Sequence, residues 1–308
     1  MKKLAFLPLL LLTLILSACN SNDTTKKEDT STTNDKKQET ITYESEDGPI
    51  EVPADPQRVI LLSGFTGNVL ELGVNVVGVD VWSKTNPTFE EELKDVEEVS
   101  DESLEKIIEL EPDLIIGLST IKNIDKLKEI APTITYTWGK VDYLTQHLEI
   151  GKLLNKEKEA QAWVDDFRSR AEALGEEVRA KIGEDATVSV IESHDKELYV
   201  FGDNWARGTE ILYQAMKLKM PEKVKEMALK DGYYTISAEL IPEYAGDYMI
   251  LSKYSDADTS FQETEAYKNI PAVKNNHVFE LNGNGASFTD PVTLEKQLAF
   301  FKESFLGN

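Results

Sequence analysis

Residues 156–182 read KEKEAQAWVDDFRSRAEALGEEVRAKI, and this stretch predicts one long helix without a proline. Its apolar residues recur at spacings of three and four, the period of an amphipathic helix. They are Ala160, Val164, Phe167, Ala171, Leu174 and Val178. Gly183 follows as a helix terminator. Because a helix of this length is about 40 Å long, longer than one small lobe needs, we expect a strut that joins two lobes. The alternative is an ordinary long helix on one domain.

Short apolar segments alternate with helical patterns on both sides of this helix. Before it, the strand candidates are 58–62, 76–79, 113–117 and 133–136. After it, they are 187–192, 197–201, 247–251 and 277–281. Strands that alternate with helices indicate parallel sheets with ligand loops at the strand ends. The predicted fold class is therefore α/β, with two Rossmann-like lobes at 41–155 and 183–308 that are joined by the helix at 156–182.

Residues 1–19 have the shape of a secretory signal. Lys2 and Lys3 precede an apolar run at 4–15, which is shorter than the ~20 residues that a membrane-spanning helix needs. The run ends in Leu-Ser-Ala-Cys, and Cys19 is the only cysteine of the chain. These four residues resemble the lipobox of bacterial lipoproteins, in which the cysteine is lipidated and becomes the mature N-terminus. The alternative is a plain signal peptide with a chance cysteine.

The segment 20–40 has no apolar residue and is rich in Ser, Thr, Asn, Asp and Lys. Such a composition cannot build a core, so we expect a disordered tether between a membrane and the folded part. The chain as a whole is strongly acidic, with 56 Asp and Glu against 33 Lys and Arg and a net charge of −23. Because phosphate backbones are bound by clustered basic residues, this balance argues against nucleic-acid binding. A highly anionic small ligand would also need a local basic cluster.

The sequence carries no recognisable catalytic constellation. It has neither a Gly-x-Ser-x-Gly elbow nor a Gly-x-x-x-x-Gly-Lys loop, and the pair Gly283 and Gly285 lacks the third glycine of a dinucleotide fingerprint. The three histidines, at 147, 194 and 277, are far apart and show no metal-ligand spacing. We therefore expect a binding protein with no enzymatic activity, no protein-bound metal and no cofactor. A secreted hydrolase or a lipid-anchored adhesin is the alternative from another class, and the hydrolase would need such a motif.

The most distinctive polar segment is Gly-Asp-Asn-Trp-Ala-Arg-Gly at 202–208. Two glycines bracket a turn that we expect to be exposed, and a tryptophan in such a turn has little core to fill. Trp205 is therefore a candidate contact surface, and Arg207 adds five fixed hydrogen-bond donors. Together they suit a flat, partly apolar ligand with exposed oxygens. The alternative is a structural turn in which Trp205 folds onto its lobe and Arg207 forms an ion pair.

Further short motifs run along nearly the whole mature chain. They are Glu105 with Pro-Asp-Leu-Ile-Ile at 112–116, Ala-Pro-Thr at 131–133, Asp-Ala-Thr-Val at 185–188, Leu-Tyr-Gln-Ala at 212–215, Leu-Lys-Met at 218–220, Tyr-Ala-Gly-Asp-Tyr at 244–248 and Asp-Pro at 290–291. With the turn at 202–208, their order and spacing resemble the cluster A, class III substrate-binding lipoproteins of ABC importers. Within that group the chain resembles the ferric hydroxamate siderophore-binding lipoproteins of Gram-positive bacteria, the FhuD type. The resemblance implies a class III periplasmic-binding-protein fold and a monomer. It also implies a lipid anchor on the outer face of the cell membrane, and iron uptake through an ABC permease and its ATPase.

The resemblance also implies the site residues. The Trp and Arg of the family turn contact the iron complex, and they match Trp205 and Arg207. An aromatic residue faces them from the other lobe, and Trp138 stands at that position, where relatives often have tyrosine. Phe288 stands at the rim, where a tyrosine would add a hydroxyl donor. Additional aromatic candidates for ligand contact are Trp82, Tyr199 and Phe65. Family members dock on permease arginines through one surface glutamate per lobe, and the matching residues are Glu105 and Glu239.

A hydroxamate cargo of the ferrichrome or ferrioxamine type also suits the charge of the chain. Three monoanionic hydroxamates neutralise Fe(III), so one arginine can donate to the oxygens while aromatic residues cover the organic shell. The chelator supplies every iron ligand. A ferric triscatecholate carries three negative charges and would need several basic residues, whereas Lys84 and Lys140 near the expected cleft loops have the character of solvated loop residues. Ferric catecholates, hydroxycarboxylates, and haem or cobalamin are the alternative cargoes.

Overall fold

The computed structural model describes residues 39–194 and 196–307. The predicted signal peptide, Cys19 and almost all of the predicted tether lie outside the described residues. A hairpin of two antiparallel strands, β1 (Thr40–Ser45) and β2 (Gly48–Pro53), opens the described chain. Residue 40 therefore belongs to the fold and not to the tether that the sequence predicts over 20–40.

The N-terminal lobe is built on a five-stranded, wholly parallel sheet. Its strands are β3 (Val59–Leu62), β4 (Val76–Val79), β5 (Glu97–Glu98), β6 (Leu114–Leu118) and β7 (Thr133–Tyr136), in the order β5-β4-β3-β6-β7. Its helices are α1 (Thr66–Glu71), α2 (Val81–Lys84), α3 (Glu90–Leu93), α4 (Leu104–Glu109), α5 (Ile124–Lys128) and α6 (Tyr143–Leu153). Strand β3 is buried throughout, and alternate residues enter cores on opposite faces of the sheet. This arrangement explains why the strand is a continuous apolar run.

The long helix predicted at 156–182 is α7 (Glu157–Ile182), and it ends at Gly183, whose φ of 104° favours glycine. All six predicted apolar residues are buried. Ala160 packs in the N-terminal core, whereas Val164 and the residues that follow pack in the C-terminal core. The helix therefore joins the cores of two lobes, as the strut interpretation predicts. No helix among the described residues is long and apolar enough to cross a membrane.

The C-terminal lobe carries a second five-stranded sheet that is only partly parallel. Its strands are β8 (Val188–His194), β9 (Glu197–Phe201), β10 (Tyr233–Ile236), β11 (Tyr248–Lys253) and β12 (Val278–Asn282), in the order β10-β9-β8-β11-β12. Its helices are α8 (Glu222–Ala228), α9 (Ile241–Tyr244), α10 (Glu265–Lys268), α11 (Pro271–Lys274), α12 (Gly283–Ala286) and α13 (Pro291–Leu306), with a π-helical segment at Glu210–Ala215 and 3₁₀ turns at Ala238–Leu240 and Ser260–Glu263. Strand β9 is antiparallel to both neighbours. Two residues separate it from β8, which is too few for a parallel crossover.

The two lobes meet directly beside the strand ends. At the start of α1, a Cβ on Gly67 would lie 1.7 Å from Oδ1 of Asp290, so only glycine lets α1 approach α13. Nearby, Lys296 donates through Nζ to the carbonyl oxygen of Thr88 at 2.6 Å. The rings of Phe89 and Phe288 lie 5.9 Å apart across the same boundary. These contacts fix one side of a cleft between the lobes.

Candidate ligand-binding cleft

Two adjoining cavities lie between the lobes, at the carboxyl ends of strands from both sheets, where α/β proteins bind ligands. The first, here called the polar cavity, has a volume of about 370 Å³, and its wall includes Asn68, Trp138, Gln146, Trp205, Glu210 and Gln214. The second, here called the aromatic cavity, has a volume of about 350 Å³, and its wall includes Trp82, Leu118, Trp138, Tyr254, Ser287 and Phe288. Gly64 and Trp138 line both cavities, so the two adjoin.

The N-lobe wall presents two exposed tryptophans, Trp82 in the short helix α2 and Trp138 in a loop. Trp82 is 62% exposed and Trp138 is 52% exposed. The backbone N–H of Trp82 is held by Oδ1 of Asp80, the N-cap of α2, at 2.9 Å. Trp138 follows β7 in a turn that is anchored where the Thr137 hydroxyl donates to Glu46 at 2.8 Å. The backbones of both segments are therefore fixed, while the indole rings stay accessible to a ligand.

Phe65 lines the polar cavity, but its ring is buried and packs edge-on against Tyr136 at 5.2 Å. It supports the N-lobe wall more than it presents a surface. Lys84 and Lys140 have structural partners near the same wall. Nζ of Lys84 donates to the carbonyl oxygens of Leu93 and Val96, each at 2.6 Å. Lys140 is the one Lys or Arg among the described residues that line either cavity, and its Nζ lies 3.2 Å from Glu46.

The C-lobe wall begins with the turn at 202–208, and this turn is internally braced. Ala206 and Arg207 both have left-handed backbone angles, with φ of 58° and 54°. The guanidinium of Arg207 donates to both carboxylate oxygens of Glu192, from Nε at 2.8 Å and Nη2 at 2.9 Å. Nη1 also donates to the carbonyl oxygen of Trp205 at 3.2 Å. Thus one side chain holds the turn to strand β8.

The pair formed by Arg207 and Glu192 is buried: their side chains are 15% and 2% exposed. Burial opposes the charge of Arg207, but hydrogen bonding and attraction from Glu192 outweigh it and raise the pKa of the guanidinium. The Ser252 hydroxyl donates to the same carboxylate at 2.9 Å, and the Phe201 ring lies 4.9 Å from the Arg207 guanidinium carbon. The sequence-based expectation of an exposed turn is therefore wrong for Arg207, which makes the ion pair of the alternative interpretation. Its contact with a ligand stays a prediction.

Trp205 differs from Arg207 because it lines the polar cavity directly. Its indole is half-buried and lies 5.3 Å from the ring of Tyr233. Gly232 leaves room for it, since a Cβ there would meet the indole at 2.4 Å. The tryptophan is thus packed on one face and open to the cavity on another. It is neither fully exposed, as the contact-surface interpretation expects, nor fully folded onto its lobe, as the alternative expects.

Phe288 and Tyr199 have different surroundings. Phe288 lines the aromatic cavity and packs on Phe89 at the lobe boundary. Tyr199 lies on β9, where its ring packs near Phe201 and Tyr233 at 6.4 and 5.9 Å and its hydroxyl donates to Glu197. Neither Tyr199 nor Arg207 is among the described residues that line the two cavities.

Sequence reasoning missed several residues of the walls. Tyr254 and Asn284 line the aromatic cavity just beyond the ends of β11 and β12, and their positions after two predicted strands were the signal that could have found them. Glu210 lines the polar cavity, and its two oxygens accept from the Ala206 N–H at 3.0 Å and the Thr209 hydroxyl at 3.1 Å. Burial raises the pKa of Glu210. Its sequence neighbours gave no sign of this burial.

Histidines and acidic residues do not assemble into a metal site in the described part of the chain. No group of three His, Cys, Asp or Glu side chains there could hold an ion. His147 is buried beside Trp163, while His194 and His277 pack on Tyr254 and Tyr248. The cleft can therefore cover and hydrogen-bond a ligand, and its described wall residues include no such group for bare iron.

The predicted docking glutamates lie outside both cavities. Glu105 is exposed in the first turn of α4, and Glu239 is exposed in the 3₁₀ turn at Ala238–Leu240. Backbone hydrogen bonding, with help from the Ser237 side chain, lowers the pKa of Glu239. The two carboxylates belong to different lobes, and their role stays a prediction.

Comparison with known proteins defines the class. The family model described as periplasmic binding protein matches residues 59–284. The chain belongs to this periplasmic binding protein family. The iron(3+)-hydroxamate-binding protein FhuD of Bacillus subtilis is 36% identical over 307 residues, which cover 97% of this chain and 96% of the relative. The probable siderophore-binding lipoprotein YfiY of the same organism is 27% identical, over 89% of this chain and 88% of the relative.

A solved structure gives the same result for the fold. FhuD2 of Staphylococcus aureus with bound ferrioxamine B superposes with a TM-score of 0.77 at 33% identity, covering 82% of this chain and 99% of that chain. The predicted α/β class with two lobes and a connecting helix is thereby confirmed, as is the resemblance to FhuD-type proteins.

Proposed function

We propose that this protein captures ferric hydroxamate siderophores, of the ferrichrome or ferrioxamine type, between its lobes and delivers them to an ABC permease. The observation that carries the proposal is the composition of the cleft: Trp138 and Trp205 line one cavity from opposite lobes, and the one lysine there has a carboxylate partner. The names of the relatives, FhuD and ferrioxamine-bound FhuD2, support the same cargo.

The charge of the cargo follows from the cleft. A tris-hydroxamate complex of Fe(III) is neutral, so it needs hydrogen-bond partners and apolar cover but no cluster of cations. A tris-catecholate complex carries three negative charges, and a single paired lysine would leave them uncompensated in an acidic protein. The chelator supplies all iron ligands, which is consistent with walls of aromatic and amide groups.

In this proposal the two walls have separate roles. Trp82 and Trp138 cover the ligand from the N-lobe, with Phe65 behind them. Trp205 and Phe288 receive it on the C-lobe. Arg207 holds the turn to β8 from outside the lining of both cavities, with three of its five N–H groups donating to Glu192 and Trp205. We propose that the other two donate to ligand oxygens once the ligand is bound. Tyr199 packs on Phe201, whose ring lies beside the Arg207 guanidinium.

Tryptophan quenching titrations test the cargo. Ferrichrome and ferrioxamine B are compared with a ferric catecholate, ferric citrate, haemin and cobalamin under identical conditions. We expect saturable quenching by the two hydroxamates, and affinities for the other compounds that are at least about 100-fold lower, which is roughly 2.7 kcal/mol. Tighter binding of any other compound than of both hydroxamates would contradict the proposed cargo.

Delivery and anchoring complete the proposal. Glu105 and Glu239 are proposed to dock the two lobes on arginines of the permease, whose ATPase then drives uptake. Lipidation of Cys19 is proposed to hold the protein on the outer face of a Gram-positive cell membrane, because Leu-Ser-Ala-Cys follows a short apolar run and two relatives are named lipoproteins. Cys19→Ala should release the protein or leave it as precursor. A processed alanine variant that still needs detergent for extraction would contradict the anchor.

A further inference from the structure

Gln146 carries a hydrogen-bond donor with nothing to donate to. It lies in helix α6 and lines the polar cavity. Its Nε2 atom is buried, and no described residue accepts from it. Buried donors in folded proteins are rarely left unpaired, because desolvation without a replacement hydrogen bond is unfavourable. An acceptor brought in by a ligand would satisfy this amide.

Asn68 offers the opposite group in the same cavity. It lies in helix α1, and its Nδ2 is 3.3 Å from Nδ1 of His147. Burial lowers the pKa of His147 to about 4, so the ring is neutral near pH 7. An amide nitrogen can only donate, so Nδ1 accepts and the Asn68 amide is fixed in orientation. Its Oδ1 therefore remains as the acceptor, and among the described residues none donates to it.

Three other polar residues of the cavity wall, Glu210, Gln214 and Lys140, already have partners within the protein. Both oxygens of Glu210 accept protein hydrogen bonds, and Nε2 of Gln214 donates to the carbonyl oxygen of Asp203. Lys140 lies beside Glu46. Beside the Tyr143 and Thr289 hydroxyls, the Asn204 amide and the indole N–H groups of Trp138 and Trp205, the wall thus presents one neutral donor on Gln146 and one neutral acceptor on Asn68. This pair complements a secondary amide, which presents one C=O and one N–H.

We propose that the polar cavity is a subsite for a secondary-amide segment of the siderophore backbone, in which Gln146 donates to the amide carbonyl and Asn68 accepts from the amide N–H. The inference rests on the proposed function and adds a specificity determinant to it. Hydroxamate oxygens are engaged by the iron, whereas the amides that link the hydroxamates in ferrioxamine or form the ring of ferrichrome are free to pair. The subsite therefore favours chelators whose hydroxamates are linked by amides. Chelators that coordinate iron in the same way but contain no amide should bind less tightly.

The test compares two probes with the same iron coordination. Ferrioxamine B contains backbone amides, and ferric tris(acetohydroxamate), kept intact by excess acetohydroxamic acid, contains none. Gln146→Met keeps the length of the side chain and removes the donor, and we expect it to weaken ferrioxamine B about 3- to 10-fold, the range of one neutral hydrogen bond. Binding of ferric tris(acetohydroxamate) should change less than about twofold.

Matched variants keep the result interpretable. Gln161→Met makes the same exchange on the exposed surface of α7 and should leave both affinities unchanged. Gln146→Glu turns the donor into an acceptor, and should weaken ferrioxamine B more than Gln146→Met does, even if the methionine variant folds poorly. Equal losses for both probes, or no loss for ferrioxamine B in either Gln146 variant, would overturn the subsite. Failure of the unmutated protein to bind either probe would instead overturn the proposed function.

Discussion

The two walls of the cleft are built differently. On the N-lobe, Trp82 in helix α2 and Trp138 in a loop are each more than half exposed. On the C-lobe, the turn that carries Trp205 is tied to β8 by the buried pair of Arg207 and Glu192. An exposed side chain keeps its rotamer freedom until a ligand orders it, whereas a braced one has lost that freedom on folding. The difference implies a preformed C-lobe wall and an adaptable N-lobe wall.

The largest expected effect on stability and binding in the isolated protein comes from removing the ion pair between Arg207 and Glu192. Arg207→Ala leaves the carboxylate of Glu192 buried without its partner, so the free energy of unfolding should fall by about 3–5 kcal/mol. Ferrioxamine affinity should fall about 10- to 100-fold, since the turn is loosened and charged donors are lost. Denaturant unfolding and quenching titrations measure the two losses. Arg207→Lys should recover only part, because an ammonium cannot copy the planar fork.

Arg170 provides the matched control for this prediction. It also makes a two-pronged ion pair, with Glu295, but the two side chains are 42% and 35% exposed. Exposed pairs contribute about 0–1 kcal/mol, so Arg170→Ala should cost much less stability than Arg207→Ala. Equal losses in the two variants would show that burial of the Arg207 pair does not brace the C-lobe wall.

A second prediction concerns the pH dependence of stability at the boundary where the C-lobe wall meets the N-lobe. Asp290 is fully buried at the N-cap of α13, facing Gly67, and burial raises its pKa to about 6. Because the folded-state pKa lies above the ordinary value of 3.8, its contribution to stability is complete below about pH 4 and is lost as the pH rises through 6. The gap corresponds to about 3 kcal/mol. Asp290→Asn keeps a capping oxygen and removes the charge.

Melting curves of the Asp290→Asn variant should therefore lie above those of the unmutated protein at pH 7.5 and converge with them at pH 4. His147 on the N-lobe has the opposite sign, since burial lowers its pKa to about 4 and its contribution is lost as the pH falls from 6.5 toward 4. It is present in both proteins, so it cancels in the comparison. A difference that stays constant with pH would show that Asp290 does not titrate in this range.

Changes on the N-lobe wall should affect binding without affecting the fold. Trp138→Ala removes an exposed indole that the ligand would bury, which is worth about 2 kcal/mol, or roughly 30-fold in ferrioxamine affinity. Its melting temperature should stay within about 1 °C of the unmutated value, because exposed side chains contribute little to stability. Trp138→Tyr should retain most of the affinity. A clear drop in the melting temperature of the alanine variant would show that the N-lobe wall is held in place on folding, as the C-lobe wall is.

The smallest effect on the isolated protein is expected from the docking glutamates, one on each lobe. Glu105→Ala combined with Glu239→Ala should leave ferrioxamine affinity and melting temperature unchanged, since both carboxylates are exposed away from the cavities. Iron uptake by cells should nevertheless be abolished, because exposed charges far from the ligand act on partner association. Normal uptake, or a large loss of affinity in the purified double variant, would contradict the docking assignment.

The hydrophobic periodicity of the sequence predicted the fold better than it predicted the residues of the binding site. The spacing of Ala160 to Val178 was enough to predict the connecting helix and its buried face, because a 3.6-residue period depends only on local geometry. Glycine bracketing located the turn at 202–208 but gave the wrong exposure for Arg207, since its partner Glu192 lies on β8, 15 residues earlier in the chain, and no local pattern pairs the two. Gln146 and Asn68 carry no sequence signal at all. Their meeting in one cavity depends on how α1 and α6 pack.

A co-crystal structure with ferrioxamine B, with the iron located by its anomalous scattering, would show whether the ligand binds between a preformed C-lobe wall and an adaptable N-lobe wall. We predict the iron complex between Trp138 and Trp205, with new rotamers confined to the N-lobe tryptophans. The hydrogen bonds between Arg207 and Glu192 should stay at the 2.8 and 2.9 Å of the present structure. Iron bound outside the cleft, or an ion pair opened by the ligand while Trp138 keeps its place, would contradict the account.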